Sequence, residues 1–177
     1  MKKYILVGTL ACTLLGCAKP SQQPMIKPEQ VSGIWECVLD YPNLNSRFID
    51  LFNFKPNGEM RNSGLFLHTI DVPMYRYMIL KQGQWQVKGN QLILFANQKH
   101  VKKVHDEIAQ KLIKKHKNAK SLDDQMYEIL SAPIEQGERV YFNIDEMTEK
   151  TMTLSYQLSE QQYYQGNCVR STLKKKK

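Results

Sequence analysis

Short segments of alternating apolar residues, separated by turn residues, restrict this chain more than any other feature of the sequence. Alternation places every second side chain on one face, which is the period of a β-strand. Trp35, Cys37 and Leu39 share a face in this way, and in the next segment Asp50 is the exception on a face of phenylalanines. Nine such segments are predicted strands: 33–41, 48–54, 59–68, 74–81, 83–88, 91–96, 140–144, 152–158 and 163–172.

The residues between these segments favour antiparallel pairing of neighbouring strands. Lys55-Pro56-Asn57-Gly58 has strong turn chemistry, because proline presets φ and Asn-Gly tolerates positive φ. Connections this short join antiparallel strands. An antiparallel barrel removes its sheet edges by pairing its last strand with its first. The predicted fold is therefore mainly β, a small antiparallel up-and-down barrel over residues 31–173.

The stretch near residues 100–132 breaks the strand pattern and predicts a two-helix insertion. Four apolar residues have helical spacing in its first half: Val101, Val104, Ile108 and Leu112. Asn118 is a possible end of the first helix. Ser121, with Asp124 three residues later, has the pattern of an N-cap for the second helix, and Pro133 ends that helix.

The N-terminus carries the features of an export signal. Lys2 and Lys3 precede an apolar run over residues 4–15, followed by Gly16 and Cys17. This is the layout of a secretory signal peptide, and the run is too short to span a bilayer. Residues 1–17 resemble a bacterial lipoprotein signal. The resemblance implies cleavage of residues 1–16, acylation of Cys17 and, because Ala18 is not an aspartate, sorting to the outer membrane of a double-membraned bacterium.

Polar and charged segments flank the predicted barrel. Residues 17–30, the lipidated cysteine and a proline-rich run, are expected to form a flexible tether between the lipid and the domain. The four lysines of residues 174–177 repel one another, so we expect a disordered tail.

The four cysteines divide by position. Cys12 leaves with the signal peptide and Cys17 carries lipid, so that Cys37 and Cys168 remain near the two ends of the domain. Export places this pair in an oxidising compartment, which favours a disulfide between them. Closing so long a loop would stabilise the fold by about 4–5 kcal/mol in the chain-entropy model.

Several short motifs resemble those of lipocalins and lipocalin-like bacterial proteins. They are Gly33-Ile34-Trp35, Phe54-Lys55-Pro56-Asn57-Gly58, Gly83-Gln84-Trp85 with Leu92-Ile93-Leu94, Tyr141-Phe142-Asn143-Ile144 and Met152-Thr153-Leu154. The resemblance implies a closed barrel whose interior can hold an apolar ligand, and it does not imply an enzyme. Arg170 is the candidate for the basic residue that packs on Trp35 in that family, whereas the helical insertion is unusual for it.

Four aromatic residues are candidates for the ligand-binding wall or for the barrel core: Trp35, Phe52, Phe54 and Trp85. For Trp35 we favour a plug at the barrel floor, because a large ring at the start of a strand closes a core well.

No other function class has a clear motif. We expect no catalytic residues, because nucleophile, metalloprotease and phosphate-loop motifs are missing. We expect no cofactor and no metal site, because His105 and His116 lie three helical turns apart. Two pairs of neighbouring acids, Asp123-Asp124 and Asp145-Glu146, fit a helix start and a turn, where acidic residues are common, and so do not indicate a catalytic site. The tyrosines of residues 161–165 fit either a contact surface or half-buried strand positions.

The lysine-rich stretch from Lys99 to Lys120 has two interpretations. It is either a basic helix for a membrane surface or polyanion, or a solvated face of a helix that covers the barrel, and we favour the second. Nucleic acid is not an expected partner, because this stretch lacks aromatic residues for base stacking.

Two functions fit these features, and the size of the cavity separates them. The first is a lipid-anchored envelope lipoprotein whose barrel binds a small apolar ligand or otherwise supports the envelope. The second is a non-enzymatic interaction module, such as an assembly factor, adhesin or inhibitor, with an envelope protein as partner. An apolar pocket of a few hundred Å³ favours the first, and a barrel filled by aromatic side chains would exclude it.

Overall fold

A computed structural model of the chain describes residues 25–69, 74–135, 137–159 and 162–171. Its strands are β1 (Gly33–Tyr41), β2 (Ser46–Phe54), β3 (Glu59–Thr69), β4 (Met74–Lys88), β5 (Gln91–Lys103), β6 (Val140–Met147), β7 (Thr151–Ser159) and β8 (Gln162–Arg170). Its α-helices are α1 (Pro28–Val31), α2 (Glu107–Lys115) and α3 (Lys117–Ser131). The predicted signal peptide, Cys17 and the lysine tail at 174–177 lie outside the described residues.

The strands form a closed antiparallel up-and-down barrel in which each strand pairs with its neighbours in sequence and β1 pairs with β8. This confirms the predicted fold class. Inward-facing residues alternate along each strand, as in β1, where Trp35, Cys37 and Leu39 are buried between exposed neighbours. The β2–β3 turn is as predicted, with positive φ at Gly58, and Gly89 also has positive φ at the β4–β5 connection.

A disulfide joins β1 to β8 at the point where the barrel closes. Cys37 lies directly opposite Cys168 in the strand register, and their sulfur atoms are bonded. The predicted pairing is confirmed, and it links positions 131 residues apart in the sequence.

The barrel has eight strands, whereas the sequence pattern predicted nine. Segments 74–81 and 83–88 are one strand, β4, because a bulge opposite Gln82 and Gly83 lets the pairing with β5 continue. Gly83 allows this close approach: a Cβ there would lie 1.8 Å from the carbonyl oxygen of Phe95.

The helical insertion begins later than predicted. β5 continues to Lys103, so Val101 belongs to a strand and faces the barrel interior. The helix starts at Glu107 because the Asp106 carboxylate accepts a hydrogen bond from the Ala109 N–H at 2.9 Å. Residues 100–103 form a strand because they pair with β4, although Val101 and Val104 have helical spacing.

The second helix also departs from the prediction at its start. α3 begins at Lys117, one residue after α2, so the proposed N-cap Ser121 is an exposed residue inside the helix. Its end at Ser131, before Pro133, is as predicted.

The folded domain begins earlier than residue 31, which shortens the predicted tether. Pro28–Val31 form a helical turn, Val31 is fully buried, and Ile26 packs against the core. The Trp35 indole N–H donates a hydrogen bond to the Val31 carbonyl at 2.7 Å. Ile26 of the proline-rich run and Val31, which follows it, thus pack against the core at one end of the barrel.

Candidate functional site: the barrel cavity

One end of the barrel is closed by aromatic packing. The Arg170 guanidinium lies 4.2 Å from the Trp35 ring centroid and donates hydrogen bonds to the carbonyls of Ser32, Gln30 and Glu149. Phe54 and Trp85 pack with ring centroids 5.2 Å apart. The core of the closed end therefore includes Trp35, Phe54 and Trp85, as expected for Trp35. Arg170 packs on the Trp35 ring, as predicted.

Above this floor the barrel encloses a cavity of about 180 Å³. Its wall is mostly apolar, and Phe52, the fourth predicted residue, is part of it. The lining residues are Leu39, Tyr41, Phe48, Asp50, Phe52, Met60, Lys81, Leu94, Ala96, Val140, Phe142 and Tyr156. The cavity is smaller than the few hundred Å³ expected for a ligand-binding barrel, but the aromatic residues do not fill the barrel.

A second cavity of about 170 Å³ adjoins the first and lies under the helical insertion. The two share Phe48, Lys81, Ala96 and Val140. Ile129 and Leu130 of α3 line the second cavity together with Ile134. The insertion therefore covers the open end of the barrel, and its apolar side faces the cavities.

Asp50 is the acidic residue in the wall of the inner cavity. The Asn62 amide, only 4% exposed, donates a hydrogen bond to Asp50 Oδ1 at 2.9 Å. Asp50 pairs in register with Gly64, where a Cβ would lie 2.3 Å from the same oxygen. Burial raises the pKa of Asp50, and the Asn62 hydrogen bond and the charge of Lys81 oppose this rise.

Tyrosine hydroxyls form the other polar part of the inner cavity. Burial, and then the negative charges that Tyr156, Asp50 and Tyr164 can carry, raise the pKa of Tyr41 to about 12. The rings of Tyr41 and Tyr164 lie 4.6 Å apart. The buried Tyr164 hydroxyl has no hydrogen-bond partner among the residues that the structure describes. Tyr41 is therefore a neutral hydrogen-bonding group at neutral pH.

Two lysines face inward at the boundary between the cavities. Lys81 lines both cavities, and Lys99, its register partner on β5, lines the second together with Glu138. Burial, followed by repulsion from Lys81, lowers the pKa of Lys99, while Glu138 opposes the change. The inner cavity thus holds one acid and one base, and the outer cavity adds one of each.

A buried polar cluster fixes the insertion to the barrel wall. Asp123 of α3, only 3% exposed, accepts hydrogen bonds from the Tyr77 hydroxyl at 2.7 Å and from Lys103 Nζ at 2.7 Å. His105 Nε2 lies 2.9 Å from the same carboxylate, and its Nδ1 accepts the Arg76 N–H, so we assign the proton to Nε2. Burial and the bonded Asp123 raise the pKa of Tyr77.

The role of Asp123 corrects the sequence interpretation, which had assigned it to a helix start. The other polar candidates are less buried. Asp145 accepts a hydrogen bond from Ser155 at 2.9 Å, His116 is exposed at the α2–α3 junction, and of the tyrosine pair Tyr163 is exposed and Tyr164 buried. Among the described residues, no group of three or more His, Cys, Asp and Glu has the arrangement of a metal site.

Three polar residues of the cavity wall, Tyr41, Asp50 and Lys81, and Asn62, which donates a hydrogen bond to Asp50, were not predicted as site residues. One feature of the sequence could have identified Asp50 as a site residue: it is an acid on the apolar face of β2.

No helix within the described part of the chain has the length and apolar character needed to cross a membrane. No protein-family model matches this sequence, and no curated protein matches it either.

Proposed function

We propose that this protein is a lipid-anchored lipoprotein of the bacterial envelope whose lipocalin-like barrel binds a small, mostly apolar molecule. The inner cavity is the observation that carries this proposal. Its volume is about 180 Å³, and an apolar protein cavity of about 150 Å³ is large enough to bind benzene. The protein is a binding protein in this proposal and not an enzyme.

The proposed location depends on the sequence at Cys17. Lipid chains on that cysteine would hold the protein at the outer membrane, because each buried methylene contributes about 0.8 kcal/mol and several chains act together. We expect Cys17→Ala to move the protein into the soluble fraction of its host. Cys12→Ala, within the cleaved signal, is the matched control and should stay with the membranes; retention of Cys17→Ala there would contradict the anchor.

Calorimetric titration with toluene and benzyl alcohol tests the cavity, because each carries a single six-membered ring. We expect saturable binding to the natural chain. Ala96 lines both cavities, so Ala96→Leu should fill part of this space and weaken binding by about tenfold or more, since losing well-packed contacts of a small ligand removes more than about 1.4 kcal/mol.

Ala132→Leu adds the same side chain at an exposed position after α3 and serves as the control. Thermal unfolding of both variants checks that each retains the fold. No binding to the natural chain, or equal binding to both leucine variants, would contradict the proposed site.

The second candidate, a protein-interaction module, has one observation in its favour. Val38, Ile49, Leu65 and Met78 lie in register on the outer face of β1 to β4, and three of them are exposed. The partner that this apolar row fits is a second copy of the chain, because a two-fold axis pairs a patch with itself. Analytical ultracentrifugation of the natural chain and of Ile49→Lys tests it, and a monomer in both would reject this partner.

A further inference from the structure

We propose that Asp50 anchors a protonated amine, so that the ligand of the barrel is a small organic ammonium compound with an apolar body about the size of one ring. This inference rests on the proposed function, because it identifies the chemical class of the molecule in the same cavity. Three features carry it: the placement of Asp50 in the inner cavity, the aromatic walls of that cavity and the position of Lys99, which lines only the outer cavity.

The placement of Asp50 is that of a built site. A carboxylate in an apolar wall is costly unless a partner compensates its charge. None of the ion pairs among the described residues includes Asp50. Yet Asn62 holds one oxygen by a 2.9 Å hydrogen bond, and the missing side chain of Gly64 leaves room for that oxygen. The fold thus holds an acid in the cavity wall without an ion-pair partner among the described residues, and the charge of Lys81 offsets its burial only in part.

Aromatic rings make up much of the remaining wall. The five that line the inner cavity are Tyr41, Phe48, Phe52, Phe142 and Tyr156. Ring faces attract cations, and aromatic cages with or without a carboxylate are a common way to bind ammonium groups. An amine with an apolar body would therefore meet favourable contacts at both its ends.

The positive charges of Lys81 and Lys99 repel a cationic ligand, but only Lys81 lines the inner cavity. Lys81 lines both cavities on a flexible stem, and Lys99 and Glu138 line only the outer one. A carboxylate ligand would use the Lys81–Lys99 pair in the outer cavity, whereas in the inner cavity it would meet the negative charge of Asp50. Because Asp50 and the five rings line the inner cavity, that cavity favours an ammonium group over a carboxylate. The experiment includes a carboxylate compound to test this preference.

The test compares four compounds with the same ring: benzylamine, benzyl alcohol, toluene and benzoate, titrated into the full chain at pH 7. We expect benzylamine to bind about tenfold more tightly than benzyl alcohol, since a hydrogen bond to a charged group is stronger than a neutral one. Asp50→Asn should remove this advantage and leave toluene binding unchanged. Lys81→Gln should strengthen benzylamine binding several-fold.

The matched control is Asp40→Asn, which removes a carboxylate from the outer face of β1, where Arg47 pairs with it. It should change none of the four affinities. If Asp50→Asn failed to fold, the natural chain would still decide the matter: acidification that protonates Asp50 should remove the benzylamine advantage while toluene binding persists.

Four results would overturn the inference. They are equal affinity for benzylamine and benzyl alcohol, a benzylamine advantage that survives Asp50→Asn, tightest binding by benzoate with loss in Lys81→Gln, and no binding of any compound. In the first three the barrel still binds a ligand, so the proposed function stands and the ligand class is wrong. In the fourth both fail.

Discussion

The Asp50 carboxylate lies inside the barrel wall, opposite Gly64 and hydrogen-bonded by Asn62. Burial raises its pKa, and Lys81 and Asn62 only partly oppose the rise. A raised pKa means that the unfolded chain releases this proton at lower pH than the folded chain. The free energy of unfolding therefore falls as the pH rises from the unfolded to the folded pKa, and the cost is fully present above the folded pKa. Residues kept at such a cost are typical of binding sites.

Asp50→Asn should remove this cost while retaining an acceptor for Asn62. We expect the free energy of unfolding of the variant to exceed that of the natural chain at pH 7, because the variant has no carboxylate to bury. Near pH 3, where Asp50 is protonated in both states, the two should be equally stable. Urea unfolding at both pH values measures this, and a variant less stable at pH 7 would show that the carboxylate stabilises the fold.

At the scale of elements, the two-helix insertion is attached to the barrel by polar and apolar contacts together. Phe66, Tyr75, Tyr77 and Val101 of the wall pack against apolar residues of the helices. Within this contact, the Asp123 carboxylate is hydrogen-bonded to three side chains. They are Tyr77 of β4, Lys103 at the end of β5 and His105, which follows β5. Because Tyr77 and His105 are buried, loss of the Asp123 carboxylate would leave their donors unsatisfied.

Asp123→Ala should therefore destabilise the protein by about 3 kcal/mol, the usual cost of breaking a buried charged network. Asp124→Ala is the matched control. Asp124 is exposed and pairs with Lys103 and Lys120 at the surface, so its loss should have little effect on unfolding. Equal changes in melting temperature would show that the buried cluster does not hold the insertion.

At the scale of the whole molecule, the Cys37–Cys168 disulfide fixes the closure of the barrel between its first and last strands. A reductant should lower the melting temperature of the natural chain, because the opened loop regains entropy in the unfolded state worth about 4–5 kcal/mol. Cys37→Ser should be destabilised by the same amount and should not respond to reductant. A natural chain that melts at one temperature with and without reductant would contradict this.

Local chemistry was enough to predict most of the strands, the turn at Asn57-Gly58 and the disulfide. Alternation and the Asn-Gly turn depend on a few neighbouring residues, and the disulfide followed from the expectation of export and from the position of two cysteines near the ends of the domain. The course of β4 and β5 was not predictable in this way. Gly83 looks like a break in the sequence, and only pairing with β5, which has its bulge opposite Gln82 and Gly83, keeps β4 continuous. Val101 has helical spacing with Val104, yet the long β4 strand pairs with it.

The candidate site was predictable only in part, for a similar reason. Trp35, Phe52, Phe54 and Trp85 are all interior residues, but which of them fill the floor and which line a cavity depends on how the closed barrel packs. Asp50 and Lys81 lie on different strands, and only closure of the barrel brings them to one cavity. Its size and its polar groups are therefore properties of the folded barrel.

The most direct test of the proposed function is an NMR titration with benzyl alcohol that observes the methionine methyl groups. Met60 is 2% exposed and lines the inner cavity, whereas Met78 is 39% exposed on the outer face of β4. Binding inside the barrel predicts a saturable shift of the Met60 signal and none at Met78. An unchanged Met60 signal, or equal shifts at both methionines, would contradict a ligand cavity in this protein.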